Sequence, residues 1–201
     1  ERGGAQLACY IFGAGSYFGL IRRPAPEDTV IAADGGWRIC REEGIVPDLL
    51  LGDFDSLHTV PDFGHIRRVP VEKDDTDMML AIKEGLARGE TDFRLYGGVG
   101  LQGLLYLAER GAQGWLYGDR ERFTAICGGE LCLPARERGI VSVFCMGADA
   151  QGVTIEGGQY TVHDAVLTAS FPLGVSNHFV GNPVRVSVTQ GSLLIALIEK
   201  E

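Results

Sequence analysis

The chain has 201 residues, 45% of them apolar, and a formal net charge of −9 at neutral pH. That is the length of one or two domains and the composition of an ordinary globular protein. The acidic balance and the lack of any basic run disfavour nucleic-acid binding, which needs clustered Lys and Arg against phosphate. No apolar stretch reaches membrane-spanning length and no charged-then-apolar segment opens the chain, so no membrane partner is expected. The opening Glu1-Arg2-Gly3-Gly4 lacks a methionine, reads as a trimmed terminus and is left out of the fold reading. Five cysteines, Cys9, Cys40, Cys127, Cys132 and Cys145, make an odd number, and several lie in apolar runs. They predict free thiols in a reducing cytoplasm rather than disulfides or a zinc site.

In chain order, Leu7–Phe12 predicts a buried strand ending in Gly13-Ala14-Gly15-Ser16. Thr29–Ala33 is the next strand, and a helix near Trp37–Glu43 is stopped by Gly44. Asp48–Leu51 and His65–Val71 read as further strands. Thr76–Arg88 is the clearest helical pattern, with Met79, Ile82 and Leu86 on one face and Gly89 beyond its end. Phe93–Tyr96 predicts a strand, Leu104–Arg110 a helix and Gly114–Tyr117 another strand. Such alternation predicts a parallel α/β sheet.

From about Arg120 the texture changes to short β-type runs: Phe123–Cys127, Glu130–Leu133, Val141–Met146, Gly152–Glu156, Gln159–Val162, Val184–Thr189 and Leu193–Glu199. Between them Gly128-Gly129, Gly157-Gly158 and Gln190-Gly191 predict tight hairpin turns. The expected architecture is an α/β parallel-sheet domain over residues 1–119, followed by an all-β antiparallel sandwich over residues 120–201.

The chemistry concentrates at predicted strand ends. Gly52-Asp53-Phe54-Asp55-Ser56 follows the apolar run Leu49-Leu50-Leu51. Side chains two apart in extended backbone point the same way, so Asp53 and Asp55 address one spot. Paired carboxylates repel, and a divalent cation relieves them; Mg²⁺ is usually held by one or two carboxylates plus substrate phosphates. A capped turn is the structural alternative. Ala33-Asp34-Gly35-Gly36, Lys73-Asp74-Asp75-Thr76-Asp77 and Tyr96-Gly97-Gly98-Val99-Gly100 repeat the arrangement of strand followed by an Asp- or Gly-rich turn. In an open parallel sheet, ligands bind outside the carboxyl ends of the strands. Glycines there let backbone N–H groups approach phosphate. Taken together the turns predict a phosphate and metal site.

These motifs, with Gly174-Val175-Ser176-Asn177 in the second half, closely resemble bacterial thiamine pyrophosphokinase (thiamine diphosphokinase), and the resemblance covers nearly the whole chain. It implies transfer of a diphosphate group from ATP to the hydroxyl of thiamine, giving thiamine diphosphate and AMP. It implies Mg²⁺ as cofactor, a cytoplasmic enzyme, and a homodimer with composite active sites. Carried over by motif, Asp53, Asp55 and Asp77 are the catalytic and metal-binding carboxylates. Asp34, Gly35, Lys73, Thr76, Gly97 and Gly98 lie at ATP. Val175, Ser176, Asn177 and Phe179 lie at thiamine, delivered from the partner subunit; Phe179 could offer a face to the thiazolium, or be a core ring.

The chain also departs from that pattern. The family's glycine motif normally continues G-G-x-G-G-R-x-D-H, whereas Gly97-Gly98-Val99-Gly100 runs directly into Leu101-Gln102-Gly103-Leu104. Either the loop is deleted, which would leave an impaired or purely nucleotide- or thiamine-binding protein, or the chain as given lacks a stretch of the natural protein there; the second is the expectation. His178 stands where the family often has an acid. A metal-dependent phosphohydrolase is the remaining alternative, since it too can use clustered aspartates on an α/β sheet.

Overall fold

The computed structural model describes residues 7–52, 66–68, 75–98 and 100–199, with only the backbone of residues 66–68. The chain divides into two units, Glu1–Gly103 with Leu116–Asp119, and Leu104–Trp115 with Arg120–Glu201.

The first unit runs β1 (Cys9–Phe12), β2 (Thr29–Ala33), α1 (Gly36–Glu43), β3 (Leu49–Gly52), β4 (Ile66–Arg68), α2 (Asp77–Ala87) and β5 (Asp92–Tyr96). α3 (Leu101–Ala108) and β6 (Gln113–Tyr117) each straddle the division. β1 is buried at every residue, as a strand covered on both faces must be. It pairs in parallel with β2 and with β5, β2 pairs with β3 and β3 with β4, giving the order β5-β1-β2-β3-β4. The predicted parallel sheet is therefore present. α3 starts at Leu101, directly after Gly100.

α2 buries Ile82 as predicted, but the centre of its buried stripe is shifted from the one predicted. Ala81, Ile82 and Gly85 are its buried residues, while Met79 and Leu86 flank them half-buried. Space explains the difference: a Cβ on Gly85 would lie 2.5 Å from Phe93 Cε1 and 3.1 Å from Cys9 Sγ. The helix thus approaches through its small residues, and the larger side chains pack at its margins.

Residues 13–28 cross from β1 to β2 without a helix. Asp28 staples the end of that segment, its Oδ1 accepting from Ala8 N at 2.9 Å and its Oδ2 from Ala25 N at 2.8 Å. Tyr17 anchors the middle by donating from its hydroxyl to Glu43 Oε1 at 2.6 Å. Its ring meets Tyr96 edge-on, and Tyr96 also stacks on Phe12, on Tyr10 and, at 4.7 Å between centroids, on Tyr117. Burial raises the hydroxyl pKa values of Tyr10, Tyr17 and Tyr96, and the bond to Glu43 adds to the effect at Tyr17.

The second unit contains β7 (Glu121–Leu133), β8 (Ile140–Cys145), β9 (Ala150–Glu156), β10 (Val162–Leu167), β11 (Asn177–His178) and β12 (Val184–Ile198). All its strand pairings are antiparallel. β12 is the spine: it pairs with β7 from Val184↔Leu133 to Ile198↔Glu121. Its other edge takes β9 along residues 185–190 and β8 along residues 193–198. Val143, Val153, Ile155, Val186 and Ile195 lie in the buried core of this unit.

Two of the expected hairpin turns are not turns. Gly128 and Gly129 lie inside β7 and Gly191 inside β12, all with positive φ (67°, 77° and 99°), where the register of the pair shifts. Glycines that supply positive φ serve a bulge as well as a hairpin, so the same letters fit both. The separate strands predicted on either side are therefore single long strands, and the break coincides with the change of partner from β9 to β8. Gly157-Gly158 does begin the connection from β9 to β10, but β10 starts only at Val162 rather than spanning Gln159–Val162. All five cysteines are free, with Cys9, Cys40 and Cys145 buried and Cys127 and Cys132 exposed. Burial pushes the Cys40 thiol up to about 12. Among the described residues no helix is long and apolar enough to cross a membrane.

Two predictions test this packing. A Cβ on Gly36 would collide with the Phe12 carbonyl oxygen, which is main chain and cannot swing aside. Gly36→Ala is expected to lower unfolding free energy by about 1–3 kcal/mol; a urea midpoint equal to that of the unsubstituted chain would refute the close approach. The second concerns alkali. With folded pKa values raised, the neutral phenols of Tyr10, Tyr17 and Tyr96 contribute stability that is intact below about pH 10, the ordinary tyrosine value, and is lost as pH rises through the folded values. Absorbance of these phenolates should appear together with loss of the far-UV dichroism. Ionisation of all six tyrosines with native dichroism would contradict it.

Candidate functional site

The carboxyl edge of the parallel sheet is assembled by main-chain contacts. Gly13, just past β1, donates its N–H to Tyr96 O at 2.8 Å, and Gly15 donates to Gly97 O at 2.6 Å. A Cβ on Gly13 would lie 2.7 Å from Gly97 O, and one on Gly97 would lie 2.5 Å from Gly13 O. The turns after β1 and β5 therefore touch backbone to backbone, which only glycine permits. Gly13 and Gly15 were legible only as a strand end in Gly-Ala-Gly-Ser, and the sequence reading did not place them in the site.

Asp34 follows β2 at φ 46°, in the left-handed region, and is only 7% exposed. Its N–H donates to Leu51 O at 2.7 Å, and its carbonyl accepts from Trp37 N at 3.2 Å in the first turn of α1. Gly35 is the residue before that helix and makes no side-chain cap. Aspartate is among the few non-glycine residues that tolerate left-handed backbone, and here that conformation turns the chain from β2 into α1. Gly52 ends β3 against Asp34: a Cβ there would lie 3.0 Å from Asp34 Cα. From Gly52 the chain leads to Asp53 and Asp55, which together with Lys73 lie outside the described residues.

Asp77 opens α2, and Thr76 is its N-cap, the hydroxyl accepting from Met79 N at 3.2 Å. Both positions suit a helix start, since a side-chain oxygen satisfies an orphan N–H and a carboxylate favours the positive end of the helix. Beside them, a cavity of about 280 Å³ is lined by Asp75, Thr76, Met78, Met79, Ile82, Gly100, Gln102 and Gly103. It lies where α2 and α3 begin, so the amino ends of both helices border it, an arrangement suited to anionic groups. Asp75 is engaged by Lys83 Nζ at 2.5 Å. Gln102 and Lys83 carried no motif that sequence reasoning could single out. The structure thus brings Asp34, Gly35, Gly97 and Gly98 to the carboxyl edge of one sheet, and sets Thr76 and Asp77 at the start of α2. Among the described residues no three His, Cys, Asp or Glu side chains gather as a metal site; Asp53 and Asp55 are not among them.

In the second unit, Gly174-Val175-Ser176-Asn177 runs along β8. Val143 N donates to Gly174 O at 2.9 Å, and Ser176 N donates to Ser142 Oγ at 3.0 Å. Ser176 takes a left-handed conformation, φ 57°, and is exposed; Val175 is half-buried. Asn177 is 4% exposed, and its amide is used twice on one residue. Oδ1 accepts from Tyr160 N at 3.0 Å, and Nδ2 donates to Tyr160 O at 2.6 Å. Phe179 is also 4% exposed, a member of the core, with the Arg136 guanidinium 5.6 Å from its ring centroid. Of the two readings of Phe179, its burial agrees with the core ring.

Two domain models match the chain. "Thiamin pyrophosphokinase, catalytic domain" matches residues 25–102, and "Thiamin pyrophosphokinase, vitamin B1 binding domain" matches residues 131–193. The chain belongs to the thiamin pyrophosphokinase family. The catalytic-domain match holds Asp34, Gly52, Thr76, Asp77 and Gly97, and the B1-binding match holds Tyr160, Ser176 and Asn177. Solved structures share the fold. The thiamine pyrophosphokinase of Bacillus subtilis is 21% identical with TM-score 0.84, over 96% of this chain and 100% of that one. That of Geobacillus thermodenitrificans is 21% identical with TM-score 0.84, over 97% and 99%. The thiamin pyrophosphokinase of Candida albicans is 12% identical with TM-score 0.75, over 96% and 90%. No curated protein sequence matches the chain.

The Asn177 bonds yield a prediction. Asn177→Ala leaves the N–H and C=O of Tyr160 without these partners, and unfolding free energy should fall by about 1–3 kcal/mol. A urea denaturation midpoint unchanged at constant m would show that the clamp carries no stability.

Proposed function

We propose that this chain transfers the diphosphate group of ATP to the hydroxyl of thiamine, giving thiamine diphosphate and AMP. The observation that carries the reading is the pair of family matches in order, a catalytic domain over 25–102 and a vitamin B1 binding domain over 131–193. The chemistry is in-line displacement at the β-phosphorus, with AMP leaving. Such reactions depend mainly on positioning and on neutralising phosphate charge.

In this reading Asp53, Asp55 and Asp77 hold Mg²⁺, which when bound supplies positive charge to the phosphate oxygens. Asp34, Gly35, Lys73, Thr76, Gly97 and Gly98 line the ATP side. The main-chain contact of Gly13 and Gly15 with Tyr96 and Gly97 fixes the turns after β1 and β5 against each other and keeps side chains out of this part of the edge. On the thiamine side, Val175 and the exposed hydroxyl of Ser176 make contact, while Asn177 shapes the segment. The proposal extends to a cytoplasmic homodimer in which one subunit's acidic residues face the partner's thiamine segment, and to domains over 1–119 and 120–201. It also keeps the sandwich reading of the second domain, which the partner change along β12 supports, since strands move between sheets at bulges.

The experiment is product analysis with Mg²⁺, ATP and thiamine, where thiamine diphosphate and AMP are expected in equal amounts. Asp53→Asn and Asp55→Asn should each lower kcat on the order of a hundredfold, about 3 kcal/mol of lost transition-state stabilisation. ADP with thiamine monophosphate, or inorganic phosphate alone, would sink the assignment.

A further inference from the structure

We infer that the ion pair between Asp75 and Lys83 is a positioning device for the transfer step, holding the turn before α2 so that Thr76 and Asp77 keep a fixed place. The inference rests on the diphosphokinase reading and adds two positioning residues to it. Asp75 is the residue before the N-cap of α2, and Lys83 lies eight residues on, in the body of that helix. Lys83 Nζ donates to Asp75 Oδ2 at 2.5 Å. Side chains on a helix lean toward its amino end, which is the direction this lysine takes. Thr76, the next residue, is extended at φ −70° and ψ 157°, and its hydroxyl accepts from Met79 N at 3.2 Å. The turn is thus fastened to α2 twice, once through a hydroxyl on main chain and once through a carboxylate on Lys83. The base that carries Lys83 is rigid: Ile82 is fully buried, and Gly85 packs closely on Phe93 and Cys9.

Stability does not account for the pair. The Lys83 and Asp75 side chains are 41% and 30% exposed, and ion pairs open to solvent contribute only about 0–1 kcal/mol. A carboxylate near the amino end of a helix is favoured without any lysine. Position and charge do account for it. Asp75 stands directly before Thr76 and Asp77, and it lines the cavity beside them with Met79 and Gln102. A third carboxylate in the run Asp74-Asp75-Thr76-Asp77 opposes an incoming polyphosphate, and Lys83 neutralises it from the helix side. In-line transfer is also sensitive to placement, since a displacement of about 1 Å can cost on the order of a hundredfold in rate. A contact that adds little to folding can therefore decide the rate, provided that it fixes where the neighbouring groups lie.

The test compares unsubstituted protein with Lys83→Met, with Asp75→Asn and with the exchanged pair, Asp75→Lys together with Lys83→Asp. Steady-state kinetics with saturating Mg²⁺, thermal unfolding and amide hydrogen exchange are measured on each. Lys83→Met and Asp75→Asn should each lower kcat about tenfold, with the KM for thiamine kept within about twofold. Their Tm should stay within about 4 °C, as loss of an exposed ion pair implies for a chain of this size. Exchange at Met79 N–H should quicken in both. The exchanged pair keeps the combined length and the opposite charges, so kcat should return to within about threefold of the unsubstituted value and Met79 should regain its protection. Single variants with kcat within twofold of the unsubstituted protein, or an exchanged pair no more active than they are, overturn the positioning assignment alone. So does a larger fall of Tm in both single variants, which assigns the pair to stability. An unsubstituted protein that forms no thiamine diphosphate overturns the functional reading and this inference with it.

Discussion

The first unit depends on main-chain atoms coming closer than any side chain would allow. Gly36 lies against the Phe12 carbonyl, and Gly13 and Gly15 lie against the Gly97 carbonyl. The first contact sets where α1 starts, and so delivers Ile39 and Cys40 to the core beside Tyr10 and Leu50. The second joins the turns leaving β1 and β5, neighbouring strands of the sheet. A sheet edge closed by glycine backbone leaves no room for side chains between the two turns. Asp34 accepts left-handed backbone at this edge, and its bond to Leu51 O ties it to the end of β3.

The second unit is organised by one long strand rather than by tight turns. β12 keeps β7 along its full length and changes its other partner at the glycine break. The break in β12 at Gly191 is matched in β7 by Gly128 and Gly129, so both strands of the pair bend together. Bending both members of a ladder preserves the pairing on either side, which bending one alone would disrupt.

The alternation of strands and helices was legible because buried parallel strands read as apolar runs with turn residues at their ends, as in Val30-Ile31-Ala32-Ala33-Asp34. Asp34, Gly97, Thr76 and Ser176 were legible as motifs. What escaped depends on distance in the chain. The face of α2 could not be read from its own pattern, because Phe93 and Cys9 decide which residues there must be small. Glycine pairs were read as turns because turn and bulge demand the same backbone freedom. Phe179 was legible as a choice between ligand and core, and only its packing beside Arg136 resolves that choice. The partner of Asn177 lies 17 residues earlier with no local signal to announce it.

The identity of residue 177 follows from that partner. Tyr160 offers one donor and one acceptor on its own backbone, and a planar amide of asparagine length offers the complement of both. An ionised aspartate would set oxygen against the Tyr160 carbonyl, and leucine would leave both part-buried groups without these partners. The paired amide stabilises the native loop, since losing it would leave both Tyr160 groups without these partners. Its effect is to select one loop conformation among those of similar energy. In a segment that also holds Ser176 in left-handed backbone, such selection fixes which groups face solvent. A residue conspicuous in the sequence as a ligand contact thus commits its amide to the backbone of a neighbouring loop.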